Sequence, residues 1–357
     1  MRVLIAAGSS GGHIFPAIAA AFKFKELDAS GEVFFVGSAK KLDNEIFGRE
    51  GVKYAPLSYS KKQLFKDMIS SFLILRKFKP DVAVGFGGYC SFPVLAMAKM
   101  MGLPTMVHEQ NYVPGLANRV LSGFVDRVAV SFKETNGFLL RKGNISQIGN
   151  PIRINLVKLD KQKAREGLGL ARDKFTILVM GGSQGARFIN ETVLRMLKGI
   201  DSVARNNMQV IHLSGMNEFE SVKAVYEPLG ISHRVFSFFD KMSIVYSAAD
   251  IVVSRAGATS LAEITFFGLP SILIPYPTKK VHQAENAGVL GAGGAAVVAS
   301  QGGLTPSGLW NMISGLMHCP DKLKQMSENA QKLARPNAAG DIAEEIARLY
   351  KNKTRTA

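Results

Sequence analysis

The sequence predicts an α/β protein built from two doubly wound domains. Short apolar strand runs alternate with helical patterns from end to end. The alternation breaks once, at Gly149-Asn150-Pro151-Ile152-Arg153, and each half opens with a strand that runs into a glycine-rich loop. A chain of 357 residues, 47% hydrophobic and 20% charged, is long enough for two domains with a core each. The expected division is 1–153 together with a returning helix in 338–357, against 154–337.

In the first half, strands are expected at 2–7, 32–37, 81–85, 105–109 and 126–130. Each is a short apolar run bounded by Gly, Pro or Asp, as strands buried on both faces are. Helical patterns lie between them at 14–28, 62–78, 93–101 and 114–122. The second half restarts with strands near 175–180, 208–213, 234–237, 250–254, 271–275 and 295–299. A last helix, about 338–351, carries Ile342, Ile346 and Leu349 at helical spacing. The halves share architecture without a close internal repeat, and there is no low-complexity tract.

Two loops in the second half carry the chemistry. One reads Gly181-Gly182-Ser183-Gln184-Gly185-Ala186, the other Ser254-Arg255-Ala256-Gly257-Ala258-Thr259-Ser260-Leu261-Ala262-Glu263. Each follows an apolar strand and leads into a helix. A small-residue loop of this kind exposes backbone N–H groups at a helix N-terminus, which is a phosphate-binding geometry. Two of them together suggest a nucleotide diphosphate lying across a crevice at the strand ends. The first half has Gly8-Ser9-Ser10-Gly11-Gly12-His13 in the equivalent place. It is neither G-x-G-x-x-G nor a Walker A loop. The next strand ends Phe35-Val36-Gly37-Ser38, with no acidic residue for a ribose, so NAD or FAD is not expected.

The net charge of +16 points to phosphorylated ligands, an anionic membrane or nucleic acid, or serves solubility alone. No zinc-finger spacing, aromatic RNA-binding signature or long basic tail is present, so nucleic acid is not an expected partner. Cys90 and Cys319 read as reduced thiols, and no Cys/His cluster has metal-ligand spacing. Met1 leads directly into a strand without a charged leader, so a cytoplasmic location is expected. No apolar run reaches the roughly 20 residues that span a bilayer. Residues 61–79 form a basic amphipathic pattern, with apolar side chains at 64, 65, 68, 69, 72 and 75. Most of that face is expected to pack on its own sheet. Leu64 and Phe65, with Lys61, Lys62 and Lys66, are expected to meet anionic lipid head groups.

An ordered set of motifs makes the reading more specific. Gly-Gly-His-Ile-Phe-Pro stands at 11–16, His-Glu-Gln-Asn at 108–111, Pro-Gly-Leu-Ala-Asn at 114–118 and Gly-Asn-Pro-Ile-Arg at 149–153. Gly-Gly-Ser-Gln-Gly-Ala follows at 181–186, Arg-Ala-Gly-Ala-Thr at 255–259 with Glu263, and a partial match at His282-Gln283 with Asn286-Ala287. This set resembles the MurG family of bacterial N-acetylglucosaminyltransferases. The resemblance implies the GT-B fold, two Rossmann-like domains facing a cleft, with the donor held mainly by the C-terminal one. It implies transfer of GlcNAc from UDP-GlcNAc to the C4 hydroxyl of MurNAc in lipid I, with inversion, giving lipid II for the cell wall. Lipid I and the anionic cytoplasmic membrane surface are then its partners, with other cell-wall synthesis proteins as a further possibility. The competing readings are another UDP-sugar transferase acting on a lipid such as diacylglycerol, and a non-catalytic nucleotide-sugar-binding scaffold.

The resemblance also distributes roles. Glu263 is expected to accept the vicinal ribose hydroxyls of UDP; the alternative is a carboxylate favoured by the helix dipole. Ser183, Ala258 and Thr259 are expected at the diphosphate, with Gln184, Arg255, Ser260, Leu261 and Ala262 in the same donor set. Phe239 is expected to read uracil through its backbone, although its side chain also suits the core beside Phe236 and Phe238. Ser10, Gly11, Gly12, Asn111 and Arg153 are also expected to bind the donor, with Gln283 and Asn286 at its sugar hydroxyls. Ser10 stands where the family often has Thr. His13 is the leading catalytic residue, either as general base for the acceptor hydroxyl or as a positioning group. Glu109 is the second catalytic candidate. His108, Asn111 and Asn118 complete the acceptor side, with a structural role for His108 equally open. Lys280 lies roughly where the family usually carries an acid, so Lys279 and Lys280 bear on donor-sugar selectivity. No DxD-type motif accompanies the loops, and neither metal nor cofactor is expected.

Overall fold

The computed structural model describes residues 1–58, 60–182, 185–278 and 282–356. Contacts divide the chain into two compact units, Met1–Ile154 with Arg335–Ala357, and Asn155–Ala334.

The first unit runs β1 (Arg2–Ala6), α1 (Gly11–Leu27), β2 (Glu32–Ser38), α2 (Lys41–Arg49), β3 (Tyr54–Leu57), α3 (Leu64–Phe78), β4 (Val82–Gly85), α4 (Ser91–Met100), β5 (Thr105–Glu109), α5 (Leu116–Leu121), β6 (Arg127–Val130) and β7 (Ile145–Gln147). The strands form one seven-stranded sheet in the order β3-β2-β1-β4-β5-β6-β7. Every pairing is parallel. The second unit runs α6 (Lys161–Gly167), β8 (Phe175–Met180), α7 (Arg187–Gly199), α8 (Ser202–Asn206), β9 (Met208–Leu213), α9 (Phe219–Tyr226), β10 (Ser232–Phe236), α10 (Met242–Ala248), β11 (Ile251–Ser254), α11 (Ala258–Phe267), β12 (Ser271–Leu273), α12 (Gln283–Ala292), β13 (Ala296–Val298), α13 (Pro306–Met317) and α14 (Pro320–Leu333). Its six strands are ordered β10-β9-β8-β11-β12-β13, again all parallel. The chain then returns to the first unit as α15 (Ala338–Thr356).

The continuous apolar runs of the strands follow from burial on both faces. Val3, Ile5, Val82 and Val84 face one layer, with Ile14, Ala17 and Phe24 of α1 and Ile342 and Ile346 of α15. Leu4, Ala6, Ala83 and Val107 face the other, with Leu75 of α3 and Val94, Leu95 and Ala98 of α4. In the second unit Ile177, Val179, Ile251 and Val253 pack with Ile189, Val193 and Met196 of α7 and Leu309 and Ile313 of α13.

The structure departs from the sequence reading in three places. Strands β3 and β7 do not appear in that reading. Both are short edge strands; β3 contains Pro56, which an edge tolerates, and β7 is mostly polar. Helix α1 starts at Gly11 rather than 14, so His13 lies in its first turn. On α3 the buried positions are Asp67, Ser71 and Leu75, and the exposed stripe is Phe65, Ile69 and Leu73 at 78%, 48% and 59% exposure. The expected lipid-facing pair is therefore divided: Phe65 is exposed but Leu64 is half-buried.

Helix α15 contacts α1 along their lengths, and Ile346 is fully buried there. Ile346→Ala is expected to destabilise the first unit by about 2–5 kcal/mol, the range for truncating a buried isoleucine. Urea unfolding followed by a probe in that unit measures it; a loss below about 1 kcal/mol would mean that the returning helix is not integral to the core.

Candidate functional site

Each sheet has one point where strand order reverses. In the first it lies between β1 and β4, in the second between β8 and β11. Connections leave such a pair in opposite directions, so the strand ends there open into a crevice. The glycine loops fall at these points.

In the first unit, Asp43 organises the loop after β1. Its carboxylate is fully buried and accepts Ser9 N–H at 2.9 Å, Ser38 N–H at 2.8 Å and Ser38 O–H at 2.7 Å. Ser9 is held at φ 74°, a left-handed conformation that a non-glycine residue adopts at a cost. A Cβ on Gly8 would sit 2.5 Å from Asp43 Oδ2. A second loop, Phe86-Gly87-Gly88-Tyr89 after β4, closes on the first. A Cβ on Gly88, at φ 78°, would lie 2.5 Å from the Gly8 carbonyl oxygen. The sequence reading passes over both features. The Gly87-Gly88 pair follows a strand and precedes a helix, the same signal as Gly11-Gly12. Asp43 has no local signature, because its partners lie in two separate loops.

His13 sits between these loops. Its Nδ1 lies 2.9 Å from the Gly8 carbonyl and 3.1 Å from Ser10 Oγ. A carbonyl only accepts, so the neutral ring carries its proton on Nδ1 and its lone pair on Nε2. Nε2 is the atom nearest a Cβ on Gly87, together with Cδ2. Burial lowers the imidazole below its ordinary pKa, against a raising hydrogen bond to Gly8 and the charge of Asp43. The ring therefore stays neutral to lower pH than an ordinary imidazole.

The 108–118 segment serves this loop from behind. His108 is fully buried, with Nε2 on the Gly149 carbonyl at 2.8 Å and Nδ1 accepting from Gln110 Nε2 at 3.1 Å. Burial pushes its pKa down to about 4. Both ring nitrogens are engaged within this unit. Glu109 is also buried. It accepts Asn111 N–H at 2.8 Å, Gly115 N–H at 3.1 Å and Asn118 Nδ2 at 2.8 Å. Burial raises its pKa above the usual carboxylate range. In this geometry Glu109 and Asn118 hold the loop from Asn111 to Gly115, while Asn118 Oδ1 is buried without a hydrogen-bond partner. Asn111 is only partly buried and remains at the surface of this crevice. Arg153 belongs to the same unit, its guanidinium 5.4 Å from the Phe15 ring of α1.

In the second unit, β8 and β11 are neighbours in register, Met180 opposite Ser254, so their following loops leave side by side. Gly182 and Gly185 are at φ 89° and 78°, and a Cβ on Gly185 would lie 2.2 Å from the Ser214 carbonyl oxygen. Ser183 and Gln184 lie outside the described residues, as do Lys279 and Lys280. Helix α11 begins at Ala258 with Gly257 as its N-cap. Thr259 and Ser260 are partly exposed in its first turn. The Leu261 N–H bonds Gly257 O at 3.0 Å and its side chain is buried.

Glu263 lies beyond the first turn of α11, buried, and accepts the Tyr246 hydroxyl at 2.9 Å. That position disfavours a simple dipole role, which falls off within the first turn. Three residues of the expected donor set brace the loop. Arg255 Nη1 donates to the Ile274 and Pro275 carbonyls at 2.9 and 3.2 Å. Gln283 Oε1 accepts Ala256 N–H at 3.2 Å and Tyr276 N–H at 3.0 Å. Asn286, fully buried, donates to Ala256 O at 3.2 Å. Phe239 packs its ring on Phe236, centroids 4.5 Å apart, at the end of β10. Among the described residues, no group of three or more His, Cys, Asp or Glu is placed to hold a metal ion. No helix among them is long and apolar enough to cross a membrane.

Two Rossmann-like domains of this kind, each with a glycine-lined switch point, make the GT-B architecture, which glycosyltransferases share with UDP-sugar epimerases. Residues 3–130 match the glycosyltransferase family 28 N-terminal domain, and 176–345 its C-terminal domain. The chain is similar to the UDP-N-acetylglucosamine--N-acetylmuramyl-(pentapeptide) pyrophosphoryl-undecaprenol N-acetylglucosamine transferase of Thermoanaerobacter pseudethanolicus, 40% identical over 99% of this chain and 100% of that protein. The protein of the same name from Desulfotalea psychrophila is 39% identical, over 96% of this chain and 95% of its own. The crystal structure of Acinetobacter baumannii MurG superposes with a TM-score of 0.79 at 26% identity, over 97% of this chain and 99% of that one. A Neisseria meningitidis UDP-GlcNAc 2-epimerase bound to UDP-GlcNAc shares the fold, with a TM-score of 0.69 at 15% identity over 98% and 100% of the two chains. The chain belongs to the MurG family, and its fold is GT-B.

The buried histidines set an acid limit on stability. Besides His108, His212 is fully buried between Tyr226 Oη and Asn190 Oδ1, both at 3.0 Å, and burial drops its pKa to about 3. Both folded values lie below the unfolded value of about 6.5, so the unfolded chain binds protons first as pH falls. Stability is expected to decline below about pH 6.5, with a limiting slope of about 1.4 kcal/mol per pH unit for each histidine, until pH nears the folded values. Denaturation midpoints from pH 7 to 4 measure this, and His108→Gln is expected to flatten the decline; a wild-type midpoint constant down to pH 5 would contradict it.

Proposed function

We propose that this protein transfers GlcNAc from UDP-GlcNAc to the C4 hydroxyl of MurNAc in lipid I, giving lipid II for peptidoglycan synthesis. Its relatives carry that activity in their names over nearly the whole length. The observation that carries the reading within the chain is the pairing of a histidine-bearing glycine crevice in one unit with two phosphate-type loops and a buried carboxylate in the other.

The second unit takes the donor. Glu263 receives the vicinal ribose hydroxyls of UDP, and the N–H groups of Ala258, Thr259 and Ser260 meet the diphosphate together with Ser183 and Gln184. Ser10, Gly11, Gly12, Asn111 and Arg153 are proposed at the donor from the first unit, and the Phe239 backbone at uracil. Arg255, Gln283 and Asn286 act by holding Ala256 and its loop in place. The first unit takes the acceptor. His13 Nε2 accepts the proton of the C4 hydroxyl as that oxygen bonds the anomeric carbon, and the UDP oxygen leaves from the opposite face, so configuration inverts. The charge developing on UDP falls on backbone donors at helix N-termini. Glu109 and Asn118 shape the acceptor loop.

A lipid-linked acceptor brings the protein to the cytoplasmic face of the membrane as a peripheral protein. Phe65, Ile69 and Leu73 form an exposed apolar stripe on α3, flanked by Lys62, Lys66, Arg76 and Lys77. Apolar insertion with basic flanks suits an anionic lipid surface. Turnover with UDP-GlcNAc and a lipid I analogue tests the whole reading. Product with lipid I supports it; transfer to diacylglycerol alone would identify a different lipid glycosyltransferase, and UDP-GlcNAc binding without turnover a scaffold.

His13→Ala is expected to lower kcat by about 10²–10⁴-fold with little change in UDP-GlcNAc affinity. In the wild type, the acid limb of kcat/KM is expected below pH 6.5, because burial lowers His13, and the variant is expected to lose it. A variant keeping both its rate and the acid limb would exclude His13 as base.

Activity is also expected to survive EDTA, since no carboxylate pair accompanies the phosphate-type loops in sequence. Complete loss restored by Mg²⁺ or Mn²⁺ would overturn that expectation.

A further inference from the structure

The Tyr246–Glu263 contact carries an inference about donor binding. The two residues lie on α10 and α11, 17 positions apart, and those helices are in contact. The Tyr246 hydroxyl donates to Glu263 Oε2 at 2.9 Å, and both side chains are buried, at 1% and 2% exposure. The phenol ring stacks on Phe267, centroids 5.0 Å apart and planes 28° apart. Phe267 is itself met edge-on by Phe266 at 5.2 Å. The hydroxyl therefore projects from a ring that packing holds still.

A carboxylate that must receive two vicinal hydroxyls needs a defined plane. Its terminal torsion is broad and does not set that plane by itself. A fixed donor on one oxygen does, and it also offsets part of the penalty of burying the charge. Phenylalanine would fill the same space and stack in the same way, so the hydroxyl contributes the hydrogen bond alone.

We propose that Tyr246 is a positioning residue for the UDP ribose, acting through Glu263. The inference rests on the reading of Glu263 as the ribose ligand. It assigns Tyr246 no contact with the reacting atoms, so its effect falls on donor affinity and not on the chemical step.

Tyr246→Phe in the full-length protein tests this. UDP affinity by calorimetry and KM for UDP-GlcNAc are both expected to weaken about tenfold, the scale of one hydrogen bond to a charged group. The change in kcat is expected to stay within about twofold. A residue that merely supports the fold would lower the melting temperature and leave KM unmoved. In a Glu263→Ala background, Tyr246→Phe is expected to add nothing, because the group it acts through is gone. Additive losses would overturn the inference, and so would unchanged UDP affinity in Tyr246→Phe alone. If Glu263→Ala itself leaves UDP affinity unchanged, the ribose reading fails and the inference with it. If Glu263→Ala weakens UDP and Tyr246→Phe does not, only the positioning role fails.

Discussion

Parallel pairing is the constraint on which the rest of the structure depends. Every strand pair in both sheets is parallel, so every connection must cross back over a sheet face, and the strands of each sheet end along one edge. Helices then cover both faces, and the central strands must be apolar throughout. Where the order reverses, at β1/β4 and β8/β11, the connections part. Backbone N–H groups at helix starts gather there, and a phosphorylated ligand meets fixed dipoles rather than mobile side chains.

Such a crevice needs tight loops, and the first unit stabilises its loop with a single buried carboxylate. Asp43 joins the loop after β1 to the end of β2. Left-handed backbone at a serine costs on the order of 1–3 kcal/mol, and charge-assisted hydrogen bonds from Ser9 and Ser38 offset it. With the Gly8 carbonyl so fixed, the His13 ring has one orientation and one neutral tautomer. The burial that fixes the ring also keeps it neutral, the form a general base requires.

The second unit follows the same logic with different parts. Arg255, Gln283 and Asn286 reach across from separate segments to hold the backbone around Ala256. Tyr246 holds Glu263 from the neighbouring helix. Polar side chains around a ligand crevice thus divide into those that meet the ligand and those that hold what meets it. Both kinds carry the same residue types.

That division marks where sequence stops being sufficient. The amphipathic and apolar periods, the glycine loops after Met180 and Ala7, the break near Gly149 and the ordered motifs were legible in the chain, because each depends on neighbours close in sequence. Edge strands β3 and β7 were not, since an edge carries no two-sided burial and so no continuous apolar run. Asp43 was not, because its carboxylate matters only once Ser9 and Ser38 are brought beside it. The motifs marked His108, Glu109 and Asn286, but only the fold shows that each also bonds backbone groups: the Gly149 carbonyl, the Asn111 and Gly115 N–H groups and the Ala256 carbonyl. The exposed apolar stripe of α3 runs through Phe65, Ile69 and Leu73 rather than Leu64 for the same reason: which side of an amphipathic helix is buried depends on what packs against it. Local pattern determined the elements and the loop chemistry, and long-range hydrogen bonding decided which polar groups remain available to a substrate.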